Sequence, residues 1–416
     1  MMEAESSFEE DDHSLKHHYK MNQIIDRVYH HQLDRTVVVF RNVQETILFF
    51  EALRFNTSVY ELAILMDQDD HYEDPEELMK TVFEQLEKAL QHNRTLKTLI
   101  WRSFQMERGV IQLARVLSNL KDCSIENLNV SHNQIKKDGA EAIADMLKNN
   151  TFLISLDLSQ NDICSSLIAK ALYNNKTLRR LSLSGCGIFS TGAKVIFEML
   201  QVNHTLEHLD LSLNNISSGM KPVQHLKSLN LKFNRIEDVQ NIVFMLKQKD
   251  NNLESLNLSR NNICDKGALA LSKAICDSLH FSKLKSFLLN DNRISHQGAC
   301  VLADILVDNH VLKELGLMGV HGPIVSYDQM KNTFRSVIQN EFDQGNHTLV
   351  SFEKNWYWND EQMDQMFIEN QDITKRTLAM QKVFIPVLWQ LDLDQESLET
   401  ETFRFFRAFY QAMEDY

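Results

Sequence analysis

One eleven-residue frame recurs along this chain and constrains its fold more than any other feature. Leu206-x-x-Leu209-x-Leu211-x-x-Asn214-x-Ile216 has counterparts beginning at Ile125, Leu153, Leu178, Leu226, Leu253, Leu284 and Leu312, at intervals of 20 to 31 residues. Asn or Cys holds the ninth position in seven of the eight, and Val320 holds it in the last. Looser copies start at Val59 and Leu96, with Asp67 and Phe104 in the ninth position. Leu349-x-x-Phe352 is a degenerate copy, and Thr36 to Phe40 reads as an opening strand. A segment this short cannot bury an apolar face by itself, so the copies must stack into an array whose core runs along its length.

Within each unit the apolar period changes. Leu209 and Leu211 alternate, which predicts a short strand with one buried face. Asn214 follows at a turn, where a side-chain amide can satisfy backbone groups that no neighbouring strand reaches. Its counterparts Asn133, Asn161, Asn234, Asn261 and Asn292 are expected to stack with it as a ladder, the Cys186 thiol standing in at one rung. The period then becomes helical in "KKDGAEAIADMLKNN", "STGAKVIFEMLQVN", "DKGALALSKAICDSL" and "HQGACVLADILVDN". A Gly-Ala pair near the start of each suits close approach of helix to strand. The unit at 206–225 has only "SSGMKPVQH", with Pro222, in place of a helix.

The units of 25 to 31 residues, each pairing this strand with a helix, resemble the ribonuclease-inhibitor-type leucine-rich repeat family. The resemblance covers residues 59–320 and extends towards 358. It implies an α/β fold: a curved leucine-rich repeat solenoid, or horseshoe, with a parallel concave β-sheet, convex helices and a helical C-terminal cap. On this reading residues 1–34 are an acidic N-terminal tail or cap, 35–358 a solenoid of about ten or eleven units, and 359–416 the C-terminal helical cap. Bare repeats with helical ends and no signalling module are also similar to secreted effectors of intracellular bacteria, which act on host proteins. Ran GTPase-activating proteins share the repeat type but end in an acidic run, whereas this chain ends in "FRFFRAFYQAMEDY". A sensor array of the immune-receptor kind would bring a nucleotide-binding module, and these 416 residues contain none.

The repeat also explains a misleading motif. Asn203-His204-Thr205 fits the N-glycosylation acceptor rule, but NRTL at 93, NKTL at 175 and a second NHTL at 346 occupy the same corner between a helix end and the next strand. Asn tolerates the left-handed conformation that ends a helix, and Thr enters a strand readily, so the corner is expected to repeat for structural reasons. The acidic N-terminus has no apolar stretch of the secretory kind, and no apolar run is long enough to cross a bilayer. Six scattered Cys show no metal-ligand spacing. The expected location is cytoplasmic, or a host cytosol reached without a cleaved signal peptide.

Function is expected to be binding. The chain has no G-x-S-x-G, Walker loop, H-E-x-x-H or glycine-rich dinucleotide turn, which argues against an enzyme and against a cofactor or metal. The net charge of −14 is uneven: residues 1–90 carry −12 and 341–416 carry −9, leaving +7 in between. That centre is too weakly basic to hold a nucleic-acid backbone, and a partner protein is expected in the concave face. Outward strand positions include Arg102, His132, Arg180, Asp210, Arg260 and Met318. Leu213 and Phe233 share one column in successive units, with Lys232 and Arg260 beside them, the composition of an interface hot spot. Trp356 belongs to an aromatic cluster placed at the rim. The expected function is a protein–protein interaction scaffold or inhibitor, acting on a host protein in the effector reading; the alternative is a regulator of a small GTPase.

Overall fold

The structure, a computed structural model, describes residues 21–66, 74–103, 107–303, 305, 309, 311–317 and 349–351. The chain divides into two compact units, 1–228 and 229–416. The predicted C-terminal helices, Met318 and Trp356 lie outside the described residues.

In the first unit seven parallel strands pair in chain order: β1 (Arg35–Val38), β2 (Glu61–Met66), β3 (Thr98–Ser103), β4 (Asn127–Asn129), β5 (Ser155–Asp157), β6 (Arg180–Ser182) and β7 (His208–Asp210). Their register sets Leu62, Leu99, Leu128, Leu156, Leu181 and Leu209 side by side, all buried, so the second Leu of the frame forms one apolar line across the sheet. Helices α1 (Met21–Tyr29), α2 (Val43–Arg54), α3 (Pro75–Leu90), α4 (Glu107–Asn119), α5 (Lys137–Asn149), α6 (Ser165–Leu172) and α7 (Ser190–Leu200) alternate with the strands. Each strand after the first therefore needs a crossover, and the helix supplies it while covering the buried face.

The second unit repeats the plan. β8 (Ser228–Asn230) crosses the division, and β9 (Ser255–Asn257), β10 (Ser286–Leu288), β11 (Glu314–Gly316) and β12 (Leu349–Ser351) follow in parallel order. Leu256, Phe287 and Leu315 form an apolar line of the same kind within this unit. The helices are α8 (Gln240–Leu246), α9 (Asp265–Asp277) and α10 (His296–Ala303).

The glycines of the Gly-Ala pairs do allow a close approach, but to the side chain four residues earlier and to the preceding repeat rather than to a strand. A Cβ on Gly139 would lie 2.7 Å from Ile135 Cγ2, and one on Gly298 would lie 2.8 Å from Ile294 Cγ2. Asn42 and Asp74 cap their own helices, α2 and α3, whereas two later helix starts are capped from the preceding repeat. Lys136 contributes no side-chain cap to α5; instead Glu107 Oε1 accepts from the N–H groups of Lys136 and Gly139 at 2.9 and 2.8 Å. Asp265 does the same for the segment entering α10, accepting from Ser295 N at 2.7 Å. A carboxylate facing these donors and the positive end of the dipole ties successive repeats together on the helix side.

Between β7 and β8 no helix forms, as the sequence predicts. Gly219, at φ +90, is so close to the previous repeat that a Cβ would lie 2.3 Å from the Ser190 carbonyl oxygen. Ser190 Oγ accepts from Ser217 N and Ser218 N, and Gln201 donates to the Pro222 carbonyl. Side chains of α7 thus satisfy backbone that a helix would otherwise have satisfied itself.

The Asn ladder is present in both units. Asn214 Nδ2 donates to the carbonyls of Leu183, Leu211 and Ser212 at 2.9, 3.0 and 2.9 Å, while Oδ1 accepts from Cys186 N and Ile188 N at 3.1 and 2.9 Å. Asn161 bonds in the same way to Val130 and Leu158 and to the N–H groups of Asn133 and Ile135. At the substituted rung the Cys186 thiol donates to the Leu158 carbonyl at 3.1 Å. Burial pushes that thiol up to about 12, so it is neutral and unreactive.

The corner asparagines need one correction. None of Asn93, Asn150, Asn175 and Asn203 is left-handed; Asn150 has φ −71 and ψ 129. Their value lies in the side chain. Asn203, 1% exposed, donates through Nδ2 to the carbonyls of Leu172 and Asn175 at 2.6 and 3.1 Å. Its Oδ1 accepts from Thr205 N and Leu206 N at 2.8 and 3.0 Å, closing the turn into the strand.

Two outcomes are expected. Asn214→Ala leaves two buried N–H groups and three carbonyls short of a partner, and should destabilise by at least about 3 kcal/mol in urea unfolding; a loss below about 1 kcal/mol would contradict the ladder's role. Protein made in a glycosylating host should carry no glycan on Asn203, because the acceptor nitrogen is enclosed and both its hydrogens are committed; intact mass and peptide mapping check this.

Candidate functional site

The face of the sheet opposite the helices carries the outward strand positions, and bonding divides them into two groups. The fifth position of the frame is structural in most repeats. Asn129, Asp157, Asp210, Asn230 and Asn257 each accept through Oδ1 from the backbone N–H two residues on, at 2.7 to 3.1 Å. Asp210, expected at the binding surface, is thus also a turn residue. The seventh position is largely serine, and Ser184 and Ser212 share a hydrogen bond of 2.8 Å between hydroxyls of adjacent repeats.

The eighth position, just before the ladder Asn, is where the side chains stand out. His132, Gln160, Gly185, Leu213, Phe233, Arg260 and Asp291 all have φ between +52 and +64. The ladder requires this conformation: the following Asn must turn inward while the N–H of the eighth residue still reaches the next repeat, as Gln160 N reaches Ser184 O at 2.7 Å. For residues other than Gly a left-handed backbone costs roughly 1 kcal/mol or more. The sequence frame shows these positions as outward but not as left-handed; Gly185 in the column is the one signal.

In the first unit Arg180 lies half-buried on β6, between Ser155 and His208 in register, and its guanidinium has no hydrogen-bond or ion-pair partner among the described residues. Leu213 is 48% exposed. His132 is exposed at its left-handed position, and Arg102 lies half-buried on β3 with Nε enclosed and lacking a partner among the described residues.

In the second unit Lys232, Phe233 and Arg260 come together. The Arg260 guanidinium lies 4.4 Å from the Phe233 ring centre and the Lys232 ammonium 5.4 Å from it, so two cations cover one ring. Arg260 Nε also donates to Asp291 Oδ2 at 2.8 Å. Phe233 is half-buried beneath the cations, and Asp291, an outward position of the frame like them, joins the cluster through this contact. Met318 and Trp356 lie outside the described residues.

Charge is ordered along the strand-entry edge as well. Glu207 accepts from Lys227 at 2.8 Å and pairs with Arg179, and the Lys227 ammonium is the main cause holding its carboxyl below the usual range. In the helix-free repeat His204 and His225 face each other, ring centres 5.0 Å apart. His225 Nε2 is buried without a partner among the described residues. Burial, and then the His204 charge, push His225 down to about 4. No cluster of three or more metal-ligating side chains occurs among the described residues, and no helix among them is long and apolar enough to cross a membrane.

The family model described as Leucine Rich repeat matches residues 121–144, 174–197, 202–219, 224–239 and 249–272. The chain is 28% identical over 265 residues to mouse (Mus musculus) NACHT, LRR and PYD domains-containing protein 4C, covering 54% of this chain and 27% of that protein. It is 25% identical over 274 residues to mouse ribonuclease inhibitor, covering 61% of this chain and 59% of the inhibitor. Among solved structures, the repeat ectodomain of the plant membrane receptor kinase GASSHO1/SCHENGEN3 from Arabidopsis thaliana aligns over 65% of this chain and 31% of its own, with a TM-score of 0.36 and 18% identity. The chain spans less than two thirds of the length of each. Leucine-rich repeats are thus present, and the chain is similar to a ribonuclease inhibitor built from them.

The histidine pair makes stability depend on pH. A folded value near 4 lies below the ordinary 6.5, so the neutral ring is favoured by folding. Its contribution is complete above about pH 6.5 and is lost as the pH falls towards 4. His225→Phe should remove roughly 2 kcal/mol of the acid-side loss between those limits, seen in unfolding midpoints of the two proteins at pH 7 and pH 4.5. Parallel pH profiles would show that the pair is not responsible.

Proposed function

We propose that this protein is a binding scaffold that holds a partner protein against the strand face, without catalysing a reaction. The observation that carries the reading is the division of that face. Short Asn, Asp and Ser side chains are bonded to the repeat itself, leaving the half-buried Arg180, unpaired among the described residues, and the exposed Leu213 on the otherwise polar strand face of β4 to β7. An unpaired guanidinium and an aliphatic side chain held on rigid backbone give a partner contacts that require little ordering on binding. The likeness to a ribonuclease inhibitor supports binding as the class of activity. In the effector reading the partner is a host protein, so eukaryotic lysate is the right source. Nothing among the described residues favours the GTPase-regulator alternative.

Immobilised protein should retain a saturable partner from such a lysate. The pair Arg180→Glu and Leu213→Asp should weaken retention by about tenfold or more, equivalent to about 1.4 kcal/mol. The helix-side pair Lys170→Glu and Lys194→Glu, on exposed turns of α6 and α7, should leave it unchanged. The reverse pattern would place binding on the helices and overturn the reading.

A further inference from the structure

Three consecutive repeats of the second unit bring cations together where their strands end. Asn234, Asn261 and Asn292 are successive rungs: Asn261 accepts from Ile236 N and donates to Leu231 O, and Asn292 accepts from Ile263 N and donates to Leu258 O. Arg235 and Arg293 each follow a ladder Asn and are exposed, while Arg260 precedes one. Adjacent rungs lie one strand spacing apart, so the backbones of Arg235 and Arg293 are about 10 Å from each other with the Asn261 rung between them. Lys232 and Arg260 stand on the strand side of the same edge, held over Phe233.

Of these cations, Arg260 alone has an ion pair among the described residues. Among the described residues Arg235 and Arg293 form no ion pair or side-chain hydrogen bond. Arg260 uses Nε on Asp291, and its two terminal nitrogens carry no bond. Asp238 is turned towards α8, where it accepts from Gln240 N, and Asp265 is committed to Ser295. Glu237 remains as an exposed carboxylate on the loop leading away to α8. Of the four carboxylates near these four cations, Asp291 pairs with Arg260, Asp238 and Asp265 accept from backbone N–H groups, and Glu237 lies on the loop towards α8. Guanidinium groups left without an ion pair among the described residues attract anionic groups at short range.

We infer that this edge of the second unit receives an acidic segment of a partner protein, its Asp or Glu carboxylates pairing with Arg235, Arg260 and Arg293. Arg260 is the central anchor. Stacking on Phe233 and bonding through Nε restrain the guanidinium of this exposed residue and leave its terminal N–H groups for a bidentate carboxylate contact. A protein fits better than a nucleic acid: the patch is three repeats wide, and Phe233 is covered by its cations, so it offers no free face for a base to stack on. The inference deepens the strand-face reading, on which it rests, by naming the partner's chemistry.

The test uses the full chain and a fluorescent polyglutamate peptide of about 20 residues, with fluorescence anisotropy at low salt. Binding should weaken about tenfold between 50 and 200 mM salt, as expected for a few released counterions. Arg235→Gln with Arg293→Gln should weaken it about tenfold at low salt, whereas Lys170→Gln with Lys194→Gln, the same charge change on the helix side, should alter it less than about twofold. Arg260→Lys, which keeps charge but not the planar fork, should lose about fivefold. No polyglutamate binding, an equal loss from both double variants, or tighter binding of an oligothymidylate of similar length that displaces the peptide would each overturn the proposal. Retention of the lysate partner by the Arg180→Glu, Leu213→Asp protein is scored separately. Polyglutamate failure alongside a strand-face effect there rejects the acidic partner alone, whereas no strand-face effect rejects the broader reading.

Discussion

The side-chain amide of the ladder asparagine is the interaction on which the rest of the structure depends. At the end of each short strand the backbone turns away from the sheet with N–H and C=O groups that no further strand will meet. One primary amide supplies two donors and an acceptor that takes two bonds, and Asn214 uses all of them on carbonyls and N–H groups of two repeats. Each rung therefore closes its own turn and fastens the previous one. Leaving such groups unpaired in a dry interior would cost on the order of 1–3 kcal/mol each, comparable with a sizeable part of a protein's net stability.

The same requirement shapes the surface that binding would use. Turning the ladder Asn inward forces the preceding residue into the left-handed region, so a column of side chains is displayed on backbone with little freedom. Where that residue is Gly185, its neighbour Gln160 lies across the vacant position, and a Cβ there would meet the Gln160 amide at 2.5 Å. Where it is Phe233 or Arg260, an aromatic ring and a guanidinium are held against each other at 4.4 Å. A structural need of the turn and the presentation of large side chains are thus one feature. Fifth-position Asn and Asp, which resemble binding residues in a strand, are occupied mainly with the turn.

Much of the fold was legible because its signals are local and repeated. The frame places each strand, the change of apolar period places each helix, and Pro222 with the missing helical period marks the thin repeat. The corner asparagines were recognised by recurrence but given the wrong mechanism, since the sequence shows that Asn recurs without showing whether backbone or side chain does the turning. The candidate site was less legible. Arg260 and Phe233 were recognisable by type and column, but Asp291 became part of the cluster only through a 2.8 Å contact with the next repeat. His225 gave no signal, because its depressed protonation comes from burial beside His204 where a helix is missing.

What the sequence determined by itself is therefore the repeat: its length, strand, ladder residue, helix and the stacking these demand. Those follow from periodicity and from the hydrogen-bonding capacity of single side chains, which are properties of a short segment. What only the tertiary structure decided is which outward side chains remain available. Glu107 caps the helix of the next repeat, Asp210 closes a turn, Glu207 is held between Arg179 and Lys227, and Arg235 and Arg293 are left without a partner among the described residues. Availability depends on neighbours 20 to 31 residues away, brought within bonding distance by stacking, and no single repeat contains that information.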